Sequence, residues 1–282
     1  GPMNRRGFHM GLAGALLAPR ALLAAGPAKG SGFARADLGV RQGGRRVGDK
    51  YVGGRIEPAT RVVIPPNHSI GDDLLAYEGV GWESDKVGYR LYLDERFVTD
   101  VFGKRQPGPL LHRVGRGDDY HALADWGMDV LKVGEGRGVG GIGVLRAGRV
   151  EPIGKAERLE AVIERNGPRR AVVRVDARGW RHGDGAADLS TRFAIDAGSR
   201  LTHVIAQATP GPVLAAGIVR HAGAEIFSDG GGRSRWAYLA TLGRQSLNND
   251  DLGLALFYPP AIVAETGDDG RSLFAAFKAG PV

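Results

Sequence analysis

The chain has 282 residues, 43% hydrophobic and 24% charged, an ordinary globular balance that excludes a disordered polymer. It contains 46 glycines without a collagen repeat and no cysteine, which excludes disulfide scaffolds, iron–sulfur clusters, Cys-based zinc sites and a catalytic thiol. Its 38 basic and 31 acidic residues give a net charge of +7. That surface suits a polyanionic partner, but the charges are interspersed rather than blocked, which argues against nucleic acid.

In chain order, Gly1-Pro2 ahead of Met3 reads as a tag-cleavage remnant. Asn4-Arg5-Arg6-Gly7-Phe8, the apolar run from Gly11 to Ala25 and the small-residue exit Ala24-Ala25-Gly26 follow the grammar of a twin-arginine export signal over residues 1–27. An apolar run of about 15 residues is short for a bilayer span. The expectation is therefore a periplasmic or secreted protein without stable membrane insertion once the signal is removed. Residues 28–55 are rich in Gly and Arg and read as a linker or loosely attached arm.

Residues 56–282 read as a single β-sandwich catalytic domain. Short apolar runs recur between turn signals: 61–64, 87–93, 142–145, 159–164, 171–175, 191–195, 201–206, 217–220, 236–239, 252–258 and 273–278. Within 87–93, alternation puts Tyr89, Leu91 and Leu93 on one face and Arg90 and Tyr92 on the other. Asn166-Gly167-Pro168 and Asp196-Ala197-Gly198-Ser199 punctuate like hairpins. Residues 155–165 fit either a helix or a strand. So many short strands predict an all-β fold, a large antiparallel two-sheet sandwich with few short helices.

The most unusual stretch runs from Tyr120 to Gly134 and gathers Tyr120, His121, Asp125, Trp126, Asp129 and Lys132. A loop held by a rigid sheet is a common seat for catalysis, whereas a lone His–Tyr pair elsewhere would be an ordinary surface pair. Lys132 serves equally as a solvated strand charge or a site cation, and Trp126 as core or sugar platform. Gly136-x-Gly138-x-x-Gly141 matches a dinucleotide fingerprint in form only, because a strand-like run follows it. The alternative is a sharp loop whose backbone approaches a neighbour closely. Arg90 and Tyr92 could meet a carboxylated ligand, and Arg220 and His221 close another strand. Glu83 and Asp85 read most simply as turn residues. The histidines show no metal-ligand spacing, and no cofactor or metal site is expected.

Glu83 to Tyr92, the block Tyr120-His121…Trp126 to Gly134, and the stretches 217–221 and 252–258 together resemble the family catalogued as domain of unknown function 4861. The likeness covers roughly Asp72 to the C-terminus. It implies an exported bacterial protein of polysaccharide-utilisation systems, with a supersandwich like that of galactose mutarotase and several polysaccharide lyases. Tyr120, His121, Asp129 and Lys132 match the family block by position.

The reaction these residues would support is β-elimination on a uronic-acid oligosaccharide. The C5 proton is abstracted and water or a glycosidic oxygen leaves C4, giving a 4,5-unsaturated uronyl product. Charge builds on an already anionic group, so the substrate carboxylate needs neutralising. Arg90 or Arg220 would do so as a fork and Lys132 as a point charge. His121 is the expected base, and Tyr120 would protonate the departing oxygen, with His221 or Tyr92 as substitutes. Neighbours on an extended strand face opposite ways, so Tyr120 and His121 share a site only if the chain turns there. The alternatives are a sugar epimerase or mutarotase using a His and a carboxylate, and a non-catalytic sugar binder stacking on Trp126 and Trp180.

Overall fold

Strand follows strand from the first described residues, and a computed structural model describes residues 32–182 and 185–279. In chain order the strands are β1 (Ala34–Gln42), β2 (Arg45–Val47), β3 (Lys50–Val52), β4 (Arg55–Pro58), β5 (Arg61–Val63), β6 (Leu75–Ser84) and β7 (Val87–Tyr92). Next come β8 (Thr99–Lys104), β9 (Gly127–Asp129), β10 (Val139–Arg146), β11 (Arg149–Glu151), β12 (Arg158–Asn166), β13 (Arg170–His182) and β14 (Gly185–Asp196). The last are β15 (Thr202–Ala208), β16 (Leu214–Val219), β17 (Glu225–Asp229), β18 (Ala237–Gly243), β19 (Leu252–Tyr258), β20 (Val263–Asp268) and β21 (Ser272–Phe277). Among the described residues the helical elements are two single 3-10 turns, Leu111–Arg113 and Pro260–Ile262. The expected all-β antiparallel architecture is what the chain adopts. The twin-arginine segment lies outside the described residues.

The sheet β4-β1-β6-β7-β8-β9 packs against the sheet β15-β14-β13-β12-β5. The sheet β11-β10-β16-β21-β20 packs against β17-β18-β19. A parallel bridge, Thr99↔Gly138, joins the first and third sheets side by side. One continuous core fills the space between the layers. Its centre is Trp82, stacked on Phe193 at 4.6 Å and on Tyr89 at 6.1 Å. The indole N–H of Trp82 donates to Thr202 Oγ1 at 2.9 Å, so that buried donor is satisfied. On β7 the alternation holds: Tyr89, Leu91 and the following Leu93 enter this core, and Arg90 and Tyr92 face the other way.

Three expectations are corrected or decided. Residues 34–42 are no arm: β1 lies inside a sheet between β4 and β6, with Ala34, Ala36, Leu38 and Val40 buried. The alternation was present, but small residues and interleaved Arg35, Asp37, Gly39 and Arg41 gave it the look of a loop. Residues 158–166 are strand, not helix. The glycines 136–141 approach backbone closely: a Cβ would meet Arg271 O at 2.9 Å from Gly136 and Arg137 O at 2.2 Å from Gly141, while Gly138 sits at φ +64°. Strand β10 follows directly, so the dinucleotide context is missing.

Candidate functional site

The outer face of β6-β7-β8-β9 is roofed by residues 105–126. The roof is held by a buried carboxylate. Glu83 accepts the backbone N–H groups of Leu110 and Leu111 at 3.1 and 3.2 Å and the ammonium of Lys104 at 2.9 Å. Glu83 is thus a buried anchor rather than the turn residue expected. Asp85 does act in a turn, accepting the Gly198 N–H at 2.7 Å. Leu110, Leu111, Val114, Tyr77 and Phe102 form a small apolar cluster beneath the roof.

Beside that cluster Arg90 is wholly buried. Its Nε and Nη2 donate to Asp100 Oδ2 at 3.1 and 2.8 Å, and Nη2 also donates to Asp129 Oδ2 at 2.6 Å. Strand order explains the meeting: Arg90 on β7 is paired with Asp100 on β8, whose neighbour Phe102 is paired with Asp129 on β9. Nη1 donates to the Tyr77 carbonyl at 3.0 Å. That carbonyl is turned inward by a bulge, since Leu38 pairs with Val80 but Val40 pairs with Leu75. Tyr77 and Glu78 inside the bulge sit at φ 38° and 59°, a conformation that costs a non-glycine residue on the order of 1–2 kcal/mol. Tyr92 OH lies 2.5 Å from Arg90 Nη2 and donates to Asp100 Oδ2 at 3.1 Å. Arg96 lies over the Tyr92 ring at 3.8 Å and is tied to Asp94 and Glu78.

Tyr120 and His121 do share one place, because the chain turns there. The Tyr120 carbonyl accepts the Asp129 N–H at 2.8 Å, and the two rings lie 4.5 Å apart. Tyr120 OH is 3.4 Å from Arg90 Nη1. His121 Nε2 is 3.2 Å from Asp129 Oδ2, while its side chain stays 56% exposed. An open imidazole is therefore backed by a buried carboxylate.

The charges do not balance without a proton. Asp100 and Asp129 face one guanidinium, and Asp129 Oδ1 is buried without a partner. Burial, then the charge of Asp100, push Asp129 up to about 8 against the pull of Arg90. Burial also opposes the charge of Arg90, but Asp100 and Asp129 outweigh it and hold the guanidinium well above its usual range. Burial raises Tyr92 and Tyr120, with Arg90 pulling both back. The Asp100–Asp129 pair thus keeps one proton near neutrality.

The predicted residues separate into two groups. Arg90, Tyr92, Tyr120 and His121 meet, with Trp126 half-buried at 6.3 Å from Phe102. Lys132, His221 and Arg220 form another. His221 Nε2 donates to the Lys132 carbonyl at 2.6 Å, and Lys132 Nζ donates to Asn249 Oδ1 at 3.2 Å. Lys132 follows Asp129 by three residues, so their Cα atoms are at most about 11 Å apart. One cation role needs correction: Arg90 is sealed by two carboxylates and cannot clamp a ligand. Arg220 stands 3.0 Å from Asp268 Oδ2 in a partly exposed pair. Trp180 is fully buried and cannot be a sugar platform.

Sequence reasoning gave Asp100 no part. Its signal was a lone carboxylate in the otherwise β-type run Val98-Thr99-Asp100-Val101-Phe102. A shallow recess on the far sheet, lined by Asp176, Arg178, Asp188, Ser190, Gln207 and Thr209 among others, holds none of the predicted residues. Among the described residues no three His, Asp or Glu side chains are grouped to hold a metal ion.

The model of a protein family described as a domain of unknown function (DUF4861) matches residues 31–281. No curated protein and no solved structure matches the chain.

Proposed function

The chain belongs to the DUF4861 family, and we propose that it is a carbohydrate-active lyase or dehydratase acting on uronic-acid oligosaccharides, with His121 moving the C5 proton. The observation that carries this reading is the exposed His121 imidazole, 3.2 Å from the buried carboxylate of Asp129. An imidazole so placed is oriented from behind and free in front. Its open side can take the C5 proton while Asp129 holds the ring from the other. Tyr120, adjacent and hydrogen-bonded to Arg90, is the group to protonate the oxygen leaving C4. With Arg90 sealed between two carboxylates, and Arg220 paired with Asp268, Lys132 is the predicted cation that, among the described residues, has no carboxylate partner and can meet that of the substrate. The closed state of Arg90 also favours a second reading, sugar epimerisation or mutarotation, which needs a His and a carboxylate but no arginine fork. Export to the periplasm or beyond, where such oligosaccharides are met, belongs to the same proposal.

The test is absorbance near the ultraviolet edge, where an unsaturated uronate absorbs, during incubation with pectic, ulvan and glucuronan-type oligosaccharides. A gain that His121→Ala abolishes supports elimination. No gain on any of them discards it. A change in anomeric or epimeric NMR signals without absorbance gain establishes the second reading.

A further inference from the structure

Arg137 precedes β10 and is only 4% exposed. Its stem lies across a strip free of side chains on β10 and β16. A Cβ on Gly217 would sit 2.9 Å from Arg137 Cβ, and one on Gly143 would sit 3.3 Å from Arg137 Cδ. The head runs beneath the turn between β7 and β8, where Nη1 donates to the Arg96 carbonyl at 3.1 Å. Nε is buried without a hydrogen-bond partner, and Nη2 has none among the described residues.

Comparison with the other buried cations makes this unusual. Arg90 pairs with Asp100 and Asp129, Lys104 with Glu83, and Arg170 with Asp196. Among the described residues, no carboxylate is within ion-pair distance of Arg137. Asp269, the acidic residue that acts on it, gives its oxygens to the N–H groups of Val150, Arg271 and Ser272. A buried guanidinium without a counter-charge is costly. The idle edge, Nε with Nη2, is also the edge that grips a carboxylate with two parallel N–H···O bonds.

We propose that Arg137, beneath the turn between β7 and β8, is a binding site for a small oxyanion of carboxylate or sulfate type, gripped through Nε and Nη2. The glycines at 143 and 217 belong to the site, since any side chain there would displace the arginine stem. Burial lowers the Arg137 pKa to about 10, partly offset by Asp269, and an oxyanion seated on the free edge would reverse that penalty. The site stands independently of any reaction at His121.

The test titrates the whole protein with acetate, galacturonate and sulfate at constant ionic strength, set with chloride. Thermal unfolding and the Arg137 Nε resonance are followed. The expected result is a saturable rise in Tm and a saturable shift of Nε. Arg137→Met should weaken that binding at least about 10-fold, while melting no lower than the wild type in chloride alone. Galacturonate above acetate marks a saccharide-borne carboxylate as the ligand, and sulfate above both marks a free or ester sulfate. No saturable response of the wild type to any of the three overturns the proposal, as does an equal response in Arg137→Met. Should Arg137→Met fail to fold, the wild-type Nε resonance decides alone, and its indifference to all three anions overturns the site.

Discussion

Nε2 of His121 and Oδ2 of Asp129 lie 3.2 Å apart, one on an exposed ring and the other inside the protein. The ring is therefore fixed from inside the protein while its other side meets solvent. Asp129→Ala should release it, and the nuclear Overhauser contacts between the His121 and Tyr120 rings, 4.5 Å apart, should weaken. Unchanged contacts would break the link between His121 and Asp129.

The same carboxylate makes stability depend on pH. Asp129 is raised from 3.8 to about 8 in the folded chain, so between those values the folded state holds a proton that the unfolded state releases. Its contribution is therefore neutral below the unfolded pKa and becomes increasingly destabilising as pH rises through the folded one. Asp129→Asn should flatten the fall in stability between about pH 5 and pH 8. Urea midpoints measured across that range, in wild type and variant, check the sign.

Replacing Arg90 by Met should cost roughly 3–5 kcal/mol, because it leaves Asp100 and Asp129 facing each other in the interior. Adding Asp100→Asn should restore part of the loss. Urea unfolding of the single and double variants measures both steps, and additive losses would show that the three groups are not one unit.

Glu83→Ala should loosen the roof before it unfolds the protein. Amide exchange at Leu110 and Leu111, whose N–H groups Glu83 accepts, should accelerate more than exchange in β13. Since the roof carries Tyr120 and His121, turnover should fall as well. Retained protection at both amides would show another anchor.

If the elimination reading holds, His121→Ala should cut kcat by about 10²–10⁴-fold, and Lys132→Ala should act mainly on KM. Arg220→Ala is the control. Its pair with Asp268 is about one-third exposed on both sides, so stability should change by less than about 1 kcal/mol and turnover should hold. Steady-state kinetics on the three variants separate these roles.

What the sequence disclosed was what repeats locally. The alternation around Leu91 placed Arg90 and Tyr92 on the face opposite the core, and Tyr120 with His121 was singled out as the unusual pair. What it hid was which strands are neighbours. Arg90 finds Asp100 and Asp129 only because β7, β8 and β9 lie side by side, so an arginine that reads as a ligand clamp is already satisfied. Glu83 looked like a turn residue for the same reason: its partners Leu110 and Leu111 arrive from a distant segment. Trp180 shows the limit for aromatics, since a core ring and a sugar-stacking ring are the same letter.

The interior position of β1 sets a boundary on shortening the chain from its front. Trimming as far as Phe33 leaves every rung between Ala34 and Ser84 in place, whereas a version starting after Gln42 strips β6 of its neighbour and detaches β4. The raw edge thus created is an adhesive one, so such a version should come out as insoluble aggregate: the strand that looked most expendable is one the sheet cannot spare.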